Sequence, residues 1–182
     1  MTMDDGTQHA FDVKTDRKYK NICDDDLGKA ALFTILEAGE WDDAVSVLQQ
    51  YKTRFRCQIC VMALYSIELY FKALLMNKGI NVTKDSKGHD IESMFYTLTD
   101  TERQIIKDGI RPSGIDFSNL VGDYINLDSF EKELKFISKD FIHLRYHYEK
   151  FMNGEPVYAY EGFVIALRNN LRKLAKAIIL KK

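Results

Sequence analysis

The sequence predicts an all-α protein, folded as an up-and-down bundle of about five main helices. Apolar residues recur at alternating spacings of four and three over residues 130–151 and 160–178, and this period is that of an amphipathic α-helix. The break at Gly154 and Pro156 predicts a short connection and therefore an antiparallel helical hairpin. No convincing period-two pattern of a β-strand is found along the sequence.

The first half of the bundle is predicted from the signals that begin and end helices. A helix from Leu27 is expected to end at Gly39, and Asp42 or Asp43 then caps a second short helix. Glycine is common just after a helix and aspartate just before one. A long helix follows over residues 53–77. It is apolar on most faces, as expected of a central helix that packs on several sides.

The middle of the chain contains the predicted loops. Gly79 closes the long helix, and in the turn-rich segment that follows Ser86 or Asp90 caps the next helix. At least one helical segment then ends at Gly109. The glycine-containing piece over residues 110–126 is predicted to be a loop long enough to be functional.

Length and composition are those of one domain preceded by a tail. The chain has 182 residues, of which 46% are hydrophobic, and this is enough for one core but short for two domains. We predict a polar N-terminal arm at residues 1–26 and a single helical-bundle domain at 27–182. Because 26 Lys and Arg face 27 Asp and Glu, any binding of nucleic acid depends on a local basic patch.

The sequence gives no sign of export. No run of about 18 uncharged apolar residues is present, and the N-terminus is polar and acidic where a signal peptide is basic and then apolar. We therefore expect a cytoplasmic protein without a membrane partner. The C-x-x-C pair, Cys57 and Cys60, lies inside a helical pattern and is interpreted as two packing residues.

The long central helix carries two charges, Glu68 and Lys72, within an otherwise apolar run. Glutamate four residues before lysine is the favourable order for an ion pair on a helix. The pair shares one row with four other residues: Arg54, Gln58, Val61 and Tyr65. Against another helix both charges need partners, because burial of an unpaired charge is costly. The row therefore predicts either a structural ion-pair network or a functional polar seam.

Three short segments resemble one protein family. They are SIELYFKALLMNKGI on the central helix, GHDIESMF after the next loop, and RYHYE in the first helix of the C-terminal hairpin. Together they resemble the HEPN superfamily, the higher-eukaryote and prokaryote nucleotide-binding domains, over roughly residues 42–182. The residues that match in the first two segments are Ser66, Glu68, Lys72, Gly79, His89 and Asp90.

The resemblance implies a fold, an assembly and a class of function. Members of this family are helical bundles that often form homodimers, and many act in toxin–antitoxin, phage-defence or RNA-processing systems. A nucleotidyltransferase-type protein is one partner that the resemblance suggests. The catalytically active members cleave RNA without a metal, and they use an arginine that is followed on the same helix, after four to six intervening residues, by a histidine.

This chain has the arginine of that pattern without its histidine. Arg145 matches, while Lys150, Phe151 and Met152 occupy the positions of the histidine. His147 is too close to Arg145 in the sequence to replace that histidine, because the side chains of residues two apart on a helix point in directions roughly 200° apart. The resemblance therefore implies a non-catalytic or degenerate nucleotide- or RNA-binding and dimerisation module in a bacterial defence or toxin–antitoxin-type system. The alternative is an active, metal-independent ribonuclease centred on Arg145.

The candidate catalytic residues are Arg145, Glu149 and Glu68. Arg145 and Glu149 are one helical turn apart. An arginine fork can grip a phosphate, and Tyr146 or Tyr148 can stack on a base or donate a hydroxyl hydrogen bond. In the other interpretation, Arg145 bridges to Glu68 across the helices and stabilises the core.

The last helix carries a predicted cationic ridge. Arg168, Arg172 and Lys176 are spaced four residues apart, and with Lys72 they are candidate contacts for the phosphates of a nucleic acid. The alternative is a solvated face, because cations near a helix C-terminus are favoured by the backbone dipole alone.

Metal and cofactor sites are not expected. Asp140, His143 and His147 share one helix face. This H-x-x-x-H pattern lacks the intervening glutamate of a metalloprotease helix, so it is weak evidence for a metal. We therefore predict neither a metal nor a cofactor.

Overall fold

The computed structural model describes residues 26–82, 89–110, 130–145 and 161–180, without the side chains of 140–145 and 161. Over these ranges the chain forms six α-helices and no β-strand, which confirms the predicted all-α class and helical bundle. The helices are α1 (Leu27–Gln49), α2 (Lys52–Met76), α3 (Ile91–Thr97), α4 (Asp100–Ile110), α5 (Phe130–Arg145) and α6 (Glu161–Ile179). The predicted arm and the predicted loop at 110–126 lie almost entirely outside the described residues.

The first helix is one continuous element, so the predicted stop at Gly39 and the predicted cap at Asp42 or Asp43 are wrong. Gly39 lies within α1, and Asp42 lies further along it with its side chain buried. The apolar stripe is buried on both sides of the glycine, for example at Ile35 and Val45. Burial of this stripe outweighs the roughly 1 kcal/mol that one glycine costs a helix.

The central helix, α2, closely matches the predicted long helix, and it packs against α1, α3, α5 and α6. It ends in a Schellman motif, in which the Ile80 N–H donates to the Leu75 carbonyl and the Gly79 N–H donates to the Met76 carbonyl. Gly79 has a φ of 80°, in the left-handed region that favours glycine. The predicted role of Gly79 as the stop of this helix is confirmed.

By length and composition alone, α2 could also cross a membrane. The sequence predicts no such segment, because charges interrupt its apolar run. Most of this helix is buried against the other helices, and the central helix of a bundle passes the same test. The helix is therefore weak evidence for membrane association, and the absence of a membrane partner stays a prediction.

Four phenylalanines connect the helices around α2. Phe71 of α2 contacts Phe95 of α3 with ring centroids 6.4 Å apart, Phe95 contacts Phe130 of α5 at 5.1 Å, and Phe130 contacts Phe163 of α6 at 5.6 Å. Aromatic pairs of this kind contribute about 0.5–1.5 kcal/mol each beyond their buried area. Both helices of the predicted C-terminal hairpin contact the central helix.

Side-chain caps begin the two short helices. Asp90, one of the two predicted caps, accepts from the Ser93 N–H at 3.0 Å and from the Ser138 hydroxyl of α5 at 2.8 Å. Thr99 and Glu102 form a capping box before α4, because Glu102 accepts from the Thr99 N–H at 2.9 Å and its own N–H donates to the Thr99 hydroxyl at 3.3 Å. The Asp90 cap therefore also joins α3 to α5.

The contact between α4 and α6 is close at Gly109, near the predicted end of α4. The Asn170 side-chain amide donates to the carbonyl oxygens of Ile105 at 3.2 Å and Ile106 at 2.6 Å. A Cβ atom at residue 109 would overlap this amide group. Glycine therefore lets α6 approach closely enough for Asn170 to satisfy carbonyls in the last turns of α4.

Gly109→Ala is expected to lower the free energy of unfolding by about 1 kcal/mol, because the methyl group displaces the Asn170 amide from its acceptors. The matched control is Gly39→Ala. A Cβ there meets nothing within 4 Å, and alanine favours a helix interior by roughly 1 kcal/mol. Urea denaturation followed by circular dichroism measures both variants. Equal stability of the two would contradict the close packing at Gly109.

Candidate functional site

A buried carboxylate on α1 joins three helices. The Tyr70 hydroxyl of α2 donates to Oδ2 of Asp42 at 2.6 Å. Two arginines of α6 pair with the same carboxylate, with Arg168 Nε 3.3 Å from Oδ1 and Arg172 Nε 3.4 Å from Oδ2. The Asp42 side chain is fully buried, and that of Arg168 is 5% exposed. These contacts fix α1, α2 and α6 relative to one another, and we call the four residues the Asp42 cluster.

Burial and charge shift the pKa values within the Asp42 cluster. Burial, and after it the hydrogen bond to Asp42, raise the pKa of Tyr70 far above its ordinary value. Burial lowers the pKa of Arg168, and the charge of Asp42 opposes that shift. Tyr70 therefore keeps its proton over the physiological pH range and serves as a permanent donor to Asp42.

The cationic ridge predicted on the last helix is not one exposed surface. Arg168 is buried against Asp42, and Arg172 is partly buried beside it. Arg168 lies on the apolar stripe of α6, which faces the core, and this is the physical reason for the difference. Of the three predicted ridge residues, Lys176 is the exposed one.

A second buried carboxylate, Glu68 on α2, contacts two nitrogen groups. Lys72 Nζ donates to Glu68 Oε1 at 2.6 Å, and His89 Nδ1 lies 3.0 Å from the same oxygen. The side chains of Glu68 and Lys72 are 5% and 14% exposed, whereas that of His89 is 62% exposed. The predicted ion pair between Glu68 and Lys72 is confirmed, and the contact with His89 was not predicted.

The residues just before α3 connect this carboxylate on α2 to α5. His89 directly precedes the cap of α3, Asp90, which bonds to Ser138 of α5. The Ser138 hydroxyl in turn accepts from the Glu92 N–H at 3.1 Å. We call this site the Glu68 corner, and it consists of Glu68, Lys72, His89, Asp90 and Ser138.

The polar row predicted along α2 divides near Tyr65. Arg54 and Gln58, toward the start of the helix, are exposed. Tyr65 stacks on Trp41 of α1 with ring centroids 5.2 Å apart. The buried part of the row is therefore the Glu68 end.

Two other residues of the family resemblance have structural roles. The Ser66 hydroxyl of α2 donates to the Ala38 carbonyl of α1 at 3.3 Å. Gly79 ends α2 through its left-handed conformation. Ser66 and Gly79 therefore position the helix that carries Glu68.

The Arg145 backbone is described at the end of α5, but its side chain lies outside the described part of the chain. The predicted bridge from Arg145 to Glu68 and the predicted grip on a phosphate both stay predictions. Further predicted site residues also lie outside the described residues or side chains: Asp140, His143, Tyr146, His147, Tyr148 and Glu149.

Metal-ligating residue types are not grouped in the described ranges. No cluster of three or more His, Cys, Asp or Glu side chains there is placed to hold a metal ion. Cys60 is buried on α2 and Cys57 is half-buried. This placement agrees with the packing role predicted for the two cysteines.

No family model, no curated protein and no solved structure matches this chain. Over the described residues the protein is a helical bundle, and two of its buried carboxylates form the sites named above, the Asp42 cluster and the Glu68 corner.

The Asp42 cluster was not predicted from the sequence, although the sequence contains a signal for it. Asp42 falls on the apolar stripe of α1, four residues after Ala38 and three before Val45, and Arg168 falls on that of α6, four after Val164. Opposite charges on the buried stripes of two helices predict a buried ion pair. The preference of aspartate for helix caps conceals this pattern.

Asp42→Asn is expected to lower the free energy of unfolding by about 3 kcal/mol, because the buried Arg168 guanidinium loses its counter-charge. The matched control is Asp43→Asn, at the next residue of α1, which is exposed. It should change stability by no more than about 0.5 kcal/mol. Urea unfolding at neutral pH measures both variants, and equal stability would show that the Asp42 carboxylate does not balance the arginines.

Tyr70→Phe is expected to lower the free energy of unfolding by about 2 kcal/mol at neutral pH, because the buried Asp42 carboxylate loses a hydrogen-bond donor. The pKa of Tyr70 is raised in the folded protein. The contribution of Tyr70 to stability is therefore complete below the ordinary pKa of 10.0 and is lost as the pH rises above that value. Stability should therefore fall more steeply in the wild type than in Tyr70→Phe between about pH 9 and 11. Parallel stability curves in this range would contradict the buried Tyr70–Asp42 bond.

Proposed function

We propose that this protein is a HEPN-like helical module that binds a nucleotide or RNA and forms a homodimer in a cytoplasmic bacterial defence or toxin–antitoxin-type system. The Glu68 corner is the observation that carries the proposal. Glu68 and Lys72 come from the first segment of the family resemblance and His89 from the second, and these side chains are in contact. Contact between separate segments is what a shared site requires.

The direction of α5 supports the placement of the third segment of the family resemblance, RYHYE, at the Glu68 corner. Phe130, at the start of α5, contacts Phe95 near the end of α3, while Ser138 contacts Asp90 just before α3 begins. The two helices are therefore antiparallel, and α5 continues past the start of α3. Arg145 follows Ser138 by seven residues, which returns it to nearly the same side of α5 after about two turns.

Phosphate contacts follow from this arrangement. We propose that Arg145 reaches the Glu68 corner and binds a phosphate with its guanidinium fork. Lys72 belongs to the Glu68 corner and has donors beyond the one that it gives to Glu68. Lys176, exposed on α6, is a further contact for the backbone of a longer RNA.

An exposed apolar face of α1 supports a protein contact. Leu32 and Leu36 are exposed one turn apart near the start of α1, and Val47 is exposed on the same side nearer its end, with the exposed Asp43 between them. Apolar side chains grouped on an exposed helix face are typical of protein interfaces. We propose that this face forms the homodimer, and a nucleotidyltransferase-type partner protein is the alternative occupant.

A second candidate function is a metal-independent ribonuclease centred on Arg145, and one observation favours it. The Glu68 corner carries an exposed imidazole on a buried carboxylate. Imidazole is the side chain most often used for proton transfer near neutral pH. The two candidate functions share the binding of RNA and differ in whether the strand is cut.

A paired assay of RNA binding and RNA cleavage without added metal tests the proposal. It compares the wild type with Arg145→Ala on a short fluorescein-labelled single-stranded RNA. Loss of one charge-assisted phosphate contact is expected to weaken binding about tenfold. The matched control is Lys139→Ala, which removes an exposed positive charge from the same helix and should bind as the wild type does.

The outcomes separate the candidates, and circular dichroism shows for each variant whether it is folded. Cleavage that disappears in a folded Arg145→Ala protein supports the ribonuclease. Binding without cleavage supports the non-catalytic module. A wild type that neither binds nor cleaves RNA, beside an Arg145→Ala protein that unfolds, would make Arg145 a core bridge and the protein an interaction module.

A further inference from the structure

His89 and Glu68 have the geometry of an oriented proton-transferring pair. His89 Nδ1 lies 3.0 Å from Glu68 Oε1, and the histidine side chain is largely exposed although the carboxylate is buried. A carboxylate beside Nδ1 favours the proton on that nitrogen, which leaves the lone pair of the neutral ring on Nε2. The nitrogen that can accept a proton is therefore the one turned away from Glu68.

Neighbouring contacts hold this pair in place. Lys72 Nζ donates to the same Glu68 oxygen at 2.6 Å, which restricts rotation of the carboxylate. His89 directly precedes Asp90, whose side chain bonds to Ser138 of α5. The His89 backbone is thereby anchored where α3 meets α5. Fixing both the backbone and Nδ1 of a histidine is how catalytic imidazoles are oriented.

We infer that His89, oriented by Glu68, transfers protons in the cleavage of single-stranded RNA, an inference that rests on the proposed function and deepens its ribonuclease form. RNA carries its own nucleophile, the 2′-hydroxyl beside each phosphate, so a positioned base is the main group that scission requires. His89 is the catalytic residue in this scheme. Glu68 does not touch the substrate and is a positioning residue.

The proposed step conserves atoms and protons. His89 Nε2 accepts the 2′-hydroxyl proton while the 2′-oxygen forms a bond to the adjacent phosphorus. The bond from this phosphorus to the 5′-oxygen of the next nucleotide breaks, and the leaving oxygen takes a proton from solvent. The products are a 2′,3′-cyclic phosphate and a 5′-hydroxyl, and the imidazolium returns its proton to solvent.

His89→Ala and Glu68→Gln test the inference in the full-length chain. Cleavage of a fluorescein-labelled single-stranded RNA is measured beside binding of the same sequence carrying 2′-O-methyl groups, which cannot be cut in this way. His89→Ala is expected to slow cleavage at least about 100-fold and to weaken binding far less, because Arg145 and Lys72 carry the proposed phosphate contacts. Glu68→Gln is expected to slow cleavage by about 10- to 100-fold, as for other groups that orient a histidine.

Added imidazole separates catalysis from a structural role. It should restore part of the cleavage by His89→Ala, because it supplies the missing base, but it should not restore Glu68→Gln, whose histidine is present. The matched control is Thr97→Ala, at an exposed position of α3, which should cleave at the wild-type rate. Melting curves by circular dichroism check that every variant is folded.

Slow cleavage by His89→Ala, restored in part by imidazole, supports the inference. Wild-type rates in folded His89→Ala, loss of cleavage that imidazole does not restore, or products without a cyclic phosphate would each overturn it. A wild type that binds the RNA but does not cut it also overturns the inference and leaves the RNA-binding proposal standing. A wild type that neither binds nor cuts overturns both.

Discussion

The buried Asp42 carboxylate needs partners, and this need holds α1, α2 and α6 together. Tyr70 of α2 and Arg168 and Arg172 of α6 meet that need. Each charge would be costly to bury alone, so their contacts fix α1, α2 and α6 relative to one another. The same need also explains the course of α1, since a helix that ended at Gly39 would remove Asp42 from its partners.

The second buried carboxylate has a different consequence because one of its partners is open to solvent. Arg168, the close partner of Asp42, is buried, and that cluster contributes stability. Glu68 is as buried as that arginine, yet it contacts His89, whose ring is exposed. One carboxylate therefore fixes helices, and the other holds a side chain that is open to solvent. The hydrogen bond from the Ser138 hydroxyl of α5 to Asp90, the cap of α3, completes this second site.

The fold could be predicted from the sequence where the signals are local. Helical period and glycine stops act within one element, and the Glu68–Lys72 pair lies within one helix. The continuation of α1 through Gly39 was not predicted, because a glycine followed by aspartates is a local signal for a stop and a cap, whereas burial of the stripe and pairing of Asp42 with α6 are tertiary effects. The contact of Glu68 with His89 crosses a loop and depends on how α3 docks, which no local pattern encodes.

In the proposed site, α5 brings Arg145 to the Glu68 corner. A double-mutant cycle measures this most directly, with the free energy of unfolding determined for the wild type, Glu68→Gln, Arg145→Ala and the double variant. Side chains in contact are expected to show a coupling energy of about 1 kcal/mol or more. Effects that add to within about 0.5 kcal/mol would place Arg145 away from Glu68 and contradict the proposed site.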